Sequence, residues 1–161
     1  MKIHKIESCW RCYDHVLRCE MKDRLNLTIK KKWFDMILSG KKKAEYREIK
    51  DYWARRLVNV LDETEQGHYE EMLHDMNNPY KRHKNPCELM QYFCAEFRQF
   101  EIIRFTNGYG KDRPSVDVEF HGITIGRGLI KWGAESKVNY FVLLLGDVLA
   151  ARNVEVIKGG I

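Results

Sequence analysis

The chain has 161 residues, 44% hydrophobic and 32% charged, and its 28 Lys and Arg outnumber 23 Asp and Glu for a formal net charge of +5. That length makes one domain able to bury about 70% of its unfolded surface without disulfides or metal, and 12% aromatics with three prolines exclude disordered and collagen-like classes. The longest apolar run, residues 140–145, falls far short of the roughly 20 residues of a membrane span.

The N-terminal residues carry scattered charge and lack a secretory pattern, and five cysteines is an odd number, so reduced thiols, a cytoplasmic location and no membrane partner are expected. Residues 1–24 read as an N-terminal extension and 25–161 as one domain with a helical insertion at about 61–99. The extension holds Cys9, Cys12, His15 and Cys19 in a C-x2-C-x2-H-x3-C spacing. This is tighter than a zinc knuckle, whose longer middle loop lets the chain wrap the ion. No metal and no cofactor are expected; zinc on those four side chains is the weaker alternative.

Leu25, Leu27 and Ile29 alternate with Asn26 and Thr28 as in a half-buried strand. Trp33, Phe34, Ile37 and Leu38 then recur at helical spacing over 30–39, and Gly40 stands where a left-handed cap ends a helix. A second strand is predicted over 42–49, and a helix over 51–60 with Trp53, Leu57 and Val60 on one stripe. The acidic stretch from 61 to 96 reads as a surface insertion of two helical pieces around a loop. Its second piece, 87–98, puts Leu89, Met90, Phe93 and Phe97 on one face that should dock onto the core, and Cys87 and Cys94, seven apart, share a helix face and read as core. Strands follow at 100–106 and 116–120, with Asn107-Gly108-Tyr109-Gly110 as a turn and His121-Gly122 as a second turn before 123–126. Residues 140–145 read as a short buried strand, with a helix over 141–151 as the alternative, and Val154, Val156 and Ile157 favour a last strand. The expected fold is α+β: a small mixed β-barrel with helices packed outside it.

Charge is unevenly placed: residues 30–56 hold ten basic and four acidic side chains, exceeding the net charge of the whole chain. Clustered Lys and Arg favour a polyanion, because each neutralised phosphate releases counterions; a solvated basic face is the alternative. On an extended strand Glu45 and Arg47 share a face, and Lys42, just past Gly40, can join them from the rim. A carboxylate between two cations fixes both and leaves their other donors for a phosphate or carbonyl. The alternative is an exposed salt-bridge cluster worth about 0–1 kcal/mol per pair. Trp33, Phe34, Tyr46, Tyr52 and Trp53 interleave with the basic residues, a composition suited to single-stranded nucleic acid. Helical spacing assigns Trp33 and Phe34 to the core and leaves Tyr46, Tyr52 and Trp132 as candidate stacking surfaces.

The run from Phe34 to Arg47, with Gly40, Lys42, Glu45 and Arg47 at its key positions, resembles the ASCH family. Asn107-Gly108-Tyr109, Gly126-Arg127-Gly128 and Trp132-Gly133-Ala134-Glu135 are similar to segments of its phage-associated and bacterial members. The resemblance covers about 25–60 and 100–150. It implies a PUA-like barrel and an RNA or nucleotide-like ligand in a charged cleft. Lys41, Lys42, Lys43, Glu45, Tyr46, Arg47, Tyr109, Arg127 and Trp132 are the expected contacts. Some members are amidohydrolases acting on acetylcytidine through a lysine-activated threonine, and ribonuclease activity has been suggested for others. Here the hydroxyl position is Glu45, so an enzyme would use Lys42 and Glu45 as its catalytic pair. The insertion offers a possible protein-partner surface.

Overall fold

The alternation of Leu25, Leu27 and Ile29 does bury one side of a strand. The computed structural model, which describes residues 24–60, 66–80 and 86–154, opens with it as β1, Arg24–Ile29. There follow α1 (Lys31–Leu38), β2 (Ala44–Glu48), α2 (Asp51–Leu57), β3 (Val58–Val60), α3 (Gln66–Asn77) and α4 (Pro86–Tyr92). Then come β4 (Ala95–Phe97), β5 (Ile102–Asn107), β6 (Ser115–Arg127), a 3-10 turn at Ile130–Trp132, and β7 (Asn139–Arg152). The fold is α+β. Five strands in the order β1-β5-β6-β7-β2 curl into a half-barrel, and β3 pairs with β4 separately. β1 and β5 are parallel, and the other neighbours in the large sheet are antiparallel. Cys9, Cys12, His15 and Cys19, and the strand expected around Val156 and Ile157, lie outside the described residues.

β6 and β7 supply the curl. They pair along 13 and 14 residues with register shifts at Asp117/Val118, Val118/Phe120 and Phe120/Gly122. Each shift leaves an extra residue in one strand and bends the pair. The turn expected at His121-Gly122 is therefore a bulge in one continuous strand, with Gly122 at φ +120° and pairing resumed at Gly122 opposite Leu144. The apolar run of β7 is likewise strand throughout, not helix, because both faces are covered. Phe141, Leu143 and Leu145 enter the main core, while Tyr140 and Val142 join Ala44 and Ala134 in a second cluster on the opposite face.

Two expected helices end early. α2 stops at Leu57, and Val58-Asn59-Val60 turns to strand against Ala95-Glu96-Phe97. α4 stops at Tyr92; Cys94 takes a left-handed φ of +48°, so Phe97 and Cys94 are not on a helix face. The second piece of the acidic segment docks onto the core as expected, with Met90 and Phe93 buried, but the first is not a surface element either: Met72 and Met76 lie in the same core as Leu27, Phe105 and Phe141. Side-chain amides hold the end of α3 in place. Asn77 Nδ2 donates to Ile49 O at 2.8 Å, and Asn139 Nδ2 to the carbonyls of Met76 and Asn78 at 3.2 and 3.0 Å. The two Asn139 bonds satisfy carbonyls that the helix terminus leaves unpaired.

On the outer face, Asp117 ties three strands. It accepts from Arg104 at 2.6 and 2.8 Å and from Arg152 at 3.0 Å. The Arg104 hydrogen bonds above all, with Arg152 adding, outweigh burial and hold its carboxyl at about 2, below the ordinary 3.8.

Two outcomes follow. Met76→Ala, at a fully buried helix position, should cost about 2–5 kcal/mol in urea denaturation; a loss under about 1 kcal/mol would mean the acidic segment is separable after all. The lowered folded-state pKa of Asp117 stabilises the fold above the ordinary carboxylate range and is lost as pH falls from about 4 to about 2. That contribution is roughly 2 kcal/mol, so Asp117→Asn should flatten the acid limb of the stability curve in that window, and an unchanged limb would refute the assignment.

Candidate functional site: a buried charged cluster on the edge strand

Phe34 and Ile37 bury α1 against the core, and the chain leaves the helix through Gly40 at φ +73°, a conformation costly for other residues. The amides of Lys41 and Lys42 both donate to Met36 O, at 2.9 and 3.0 Å. That tight exit leads into an extended stretch in which Lys41 and Lys43 face solvent and Lys42 turns inward. β2 then forms the sheet edge with Glu45 opposite Leu143 and Arg47 opposite Phe141. Register-matched residues share a face, so both charges lie on the core side of the edge strand.

The expected convergence is present, but it is buried rather than an open cleft. The Lys42 and Glu45 side chains are 2% and 5% exposed, and that of Arg47 is 13% exposed. Lys42 Nζ lies 2.8 Å from Glu45 Oε2, close enough for an ion pair yet off the line of a hydrogen bond, and donates to Trp132 O at 2.7 Å. Arg47 Nη1 bonds the other Glu45 oxygen and Tyr46 O. Arg47 Nε is buried with no acceptor. Burial pushes the Lys42 ammonium below its ordinary 10.5, with Glu45 opposing and Arg47 adding to the fall.

Aromatic rings flank each cation. Lys42 Nζ is 4.7 Å from the Trp33 centroid and 5.4 Å from that of Tyr46, and the Arg47 guanidinium is 4.8 Å from Trp53. Lys32 takes a second position by Trp33 at 4.5 Å, and Arg56 by Trp53 at 5.0 Å. The interleaving of aromatic and basic residues in the sequence is therefore largely spent on internal cation–π contacts. Tyr52, at 63% exposure, remains open to solvent.

Tyr46 and Trp132 belong to the cluster's surroundings, since Tyr46 OH accepts from Leu129 N at 3.0 Å and the Trp132 carbonyl meets Lys42. Arg127 and Tyr109 do not join it. Arg127 donates to Pro79 O at 2.7 Å, and Tyr109 sits in the turn before Ser115, at the far end of β6 from the residue level with Glu45. Sequence reasoning missed three participants: Trp33 and Trp53 as cation platforms, and the Trp132 main chain as an acceptor. Gly133, directly after Trp132 and at φ +98°, is the sequence signal that this backbone turns sharply there.

What the arrangement can do chemically is hold an anion or carbonyl at Arg47 and offer Lys42 and Glu45 as a proton-exchanging pair. Comparison of the chain with family models, curated proteins and solved structures finds no match in any of the three. Among the described residues no group of His, Cys, Asp or Glu is placed to hold a metal ion, and no helix is long and apolar enough to cross a membrane.

Glu45→Ala strips the shared partner from two cations, one of them fully enclosed, and should lower stability by about 3–5 kcal/mol in chemical denaturation. A cost below about 1 kcal/mol would show that water already screens the cluster.

Proposed function

We propose that this is an ASCH-type protein with a PUA-like half-barrel that binds RNA, Arg47 being the ligand-facing residue and Glu45 and Lys42 its support. The observation that carries the reading is the buried Arg47 Nε without an acceptor, on a guanidinium already oriented by Glu45 and Trp53. An unpaired buried donor costs about 1–3 kcal/mol, and an incoming phosphate or base carbonyl relieves that cost. Exposed Lys30, Lys32, Lys41 and Lys43 supply the surrounding positive field.

A second reading draws on the lowered pKa of Lys42 beside the Glu45 carboxylate. A lysine that gives up its proton more readily than usual suits a hydrolase acting on RNA or a modified nucleoside, with Glu45 as its partner.

Binding of labelled single-stranded RNA, followed by fluorescence anisotropy, should weaken as salt rises and fall about tenfold or more in Arg47→Gln. Equal affinity in that variant would sink the site assignment. Mass spectrometry of RNA and acylated nucleosides incubated with the protein separates the readings: product that disappears in a folded Glu45→Gln variant makes it an enzyme, and no product leaves a binding protein.

A further inference from the structure

Residues 128–138 join β6 to β7 as a strap across the outer face of β2 and β7. Ala134 is its one buried side chain, while Leu129 and Ile130 are 46% and 71% exposed. Its internal bonds close the 3-10 turn, Trp132 N to Leu129 O at 2.9 Å and Gly133 N to Ile130 O at 3.0 Å. Three side chains of the sheet region hold it down. Tyr46 OH accepts from Leu129 N and Tyr140 OH from Glu135 N, each at 3.0 Å, and Lys42 Nζ donates to Trp132 O at 2.7 Å. No ladder bond ties the strap to a strand among the described residues. Of its apolar side chains, Trp132, Ala134 and Val138 pack in the small cluster with Ala44, Tyr46, Tyr140 and Val142, apart from the main core, which the strap approaches only through Gly133 against the Trp33 ring. A segment held by few buried apolar contacts opens at lower free energy than the sheet beneath it.

The closed position is nevertheless closely fitted. A Cβ at Gly128 would come within 2.5 Å of Ala134 and 2.7 Å of Tyr46, and one at Gly133 within 2.8 Å of the Trp33 ring. This fit brings the Trp132 carbonyl to an enclosed ammonium flanked by the Trp33 and Tyr46 rings. A planar carbonyl compound such as a nucleobase needs the same provisions: a cationic donor for its oxygen and aromatic neighbours for its ring.

We propose that residues 128–138 are a displaceable cover and that the Trp132 carbonyl fills, in the closed state, the position of a nucleobase carbonyl on Lys42. The protein as described is then self-liganded, and a base enters by exchanging its oxygen for that of Trp132. This rests on reading the Lys42–Glu45–Arg47 cluster as a ligand site.

Amide hydrogen exchange tests the cover without any ligand. In the wild-type chain the amides of Leu129 and Glu135 should exchange at least about tenfold faster than those of Phe141 and Leu143. Tyr46→Phe, which keeps the ring and removes the hydroxyl, should accelerate the strap further while leaving β7 unchanged. Strap amides that exchange only as slowly as Phe141, in both proteins, would overturn the cover even if RNA binds through Arg47. Cytidine, titrated as the probe, should raise exchange at Leu129 and bind several-fold tighter to Tyr46→Phe. A freely opening strap with no cytidine response in either protein would overturn the carbonyl exchange. Loss of RNA affinity in Arg47→Gln, measured separately, shows whether the cluster itself still stands as a binding site.

Discussion

The Glu45 carboxylate, enclosed between Lys42 and Arg47 at the edge of the sheet, is the contact on which the rest of the molecule is arranged. An edge strand ordinarily keeps charge in water, where an ion pair contributes little. Here β2 places Glu45 level with Leu143, and the carboxylate is balanced by a cation on each side. That requirement explains the neighbours. α1 must end abruptly at Gly40 for Lys42 to turn inward, α2 must carry Trp53 over Arg47, and the strap must lend a main-chain carbonyl to Lys42. Buried ion pairs are weak sources of net stability.

The half-barrel and the cluster divide the work. Bulges in β6 and β7 curl the sheet, so that Val116, Val118 and Phe141 face one shared core with Met72 and Met90. On the outer face Asp117 binds Arg104 and Arg152, pinning β5, β6 and β7 with exposed or half-exposed cations. The two ion clusters thus differ in kind. The Asp117 carboxylate has its guanidinium partners well aligned, whereas the Lys42–Glu45–Arg47 group leaves Arg47 Nε without an acceptor.

Much of the front half was legible because short-range rules governed it. Alternation gave β1, helical spacing gave α1, and the glycine after the helix gave the bend that aims Lys42. The sharing of a face by Glu45 and Arg47 followed from strand geometry alone. What failed depended on partners distant in sequence. Val58-Asn59-Val60 continues a helical stripe until Ala95-Glu96-Phe97 offers a ladder. His121-Gly122 has turn chemistry until Phe120 and Ile123 find Leu145 and Leu143. The depth of the cluster was equally hidden, since Lys42 is enclosed by a carbonyl 90 residues away. Polar composition in 61–96 suggested a surface, yet its few methionines are the residues that pack.

The pairing of β2 also dictates an order of events during synthesis. Among the described residues its one strand partner in the sheet is β7, through Ala44 with Leu144 and Glu48 with Tyr140. Residues up to 144 must therefore leave the ribosome before Glu45 can meet its register partner Leu143, and until then Lys42, Glu45 and Arg47 remain hydrated. Non-local pairing of this kind slows folding. It also postpones the desolvation of three charges until β7 brings Leu143 and Phe141 level with Glu45 and Arg47.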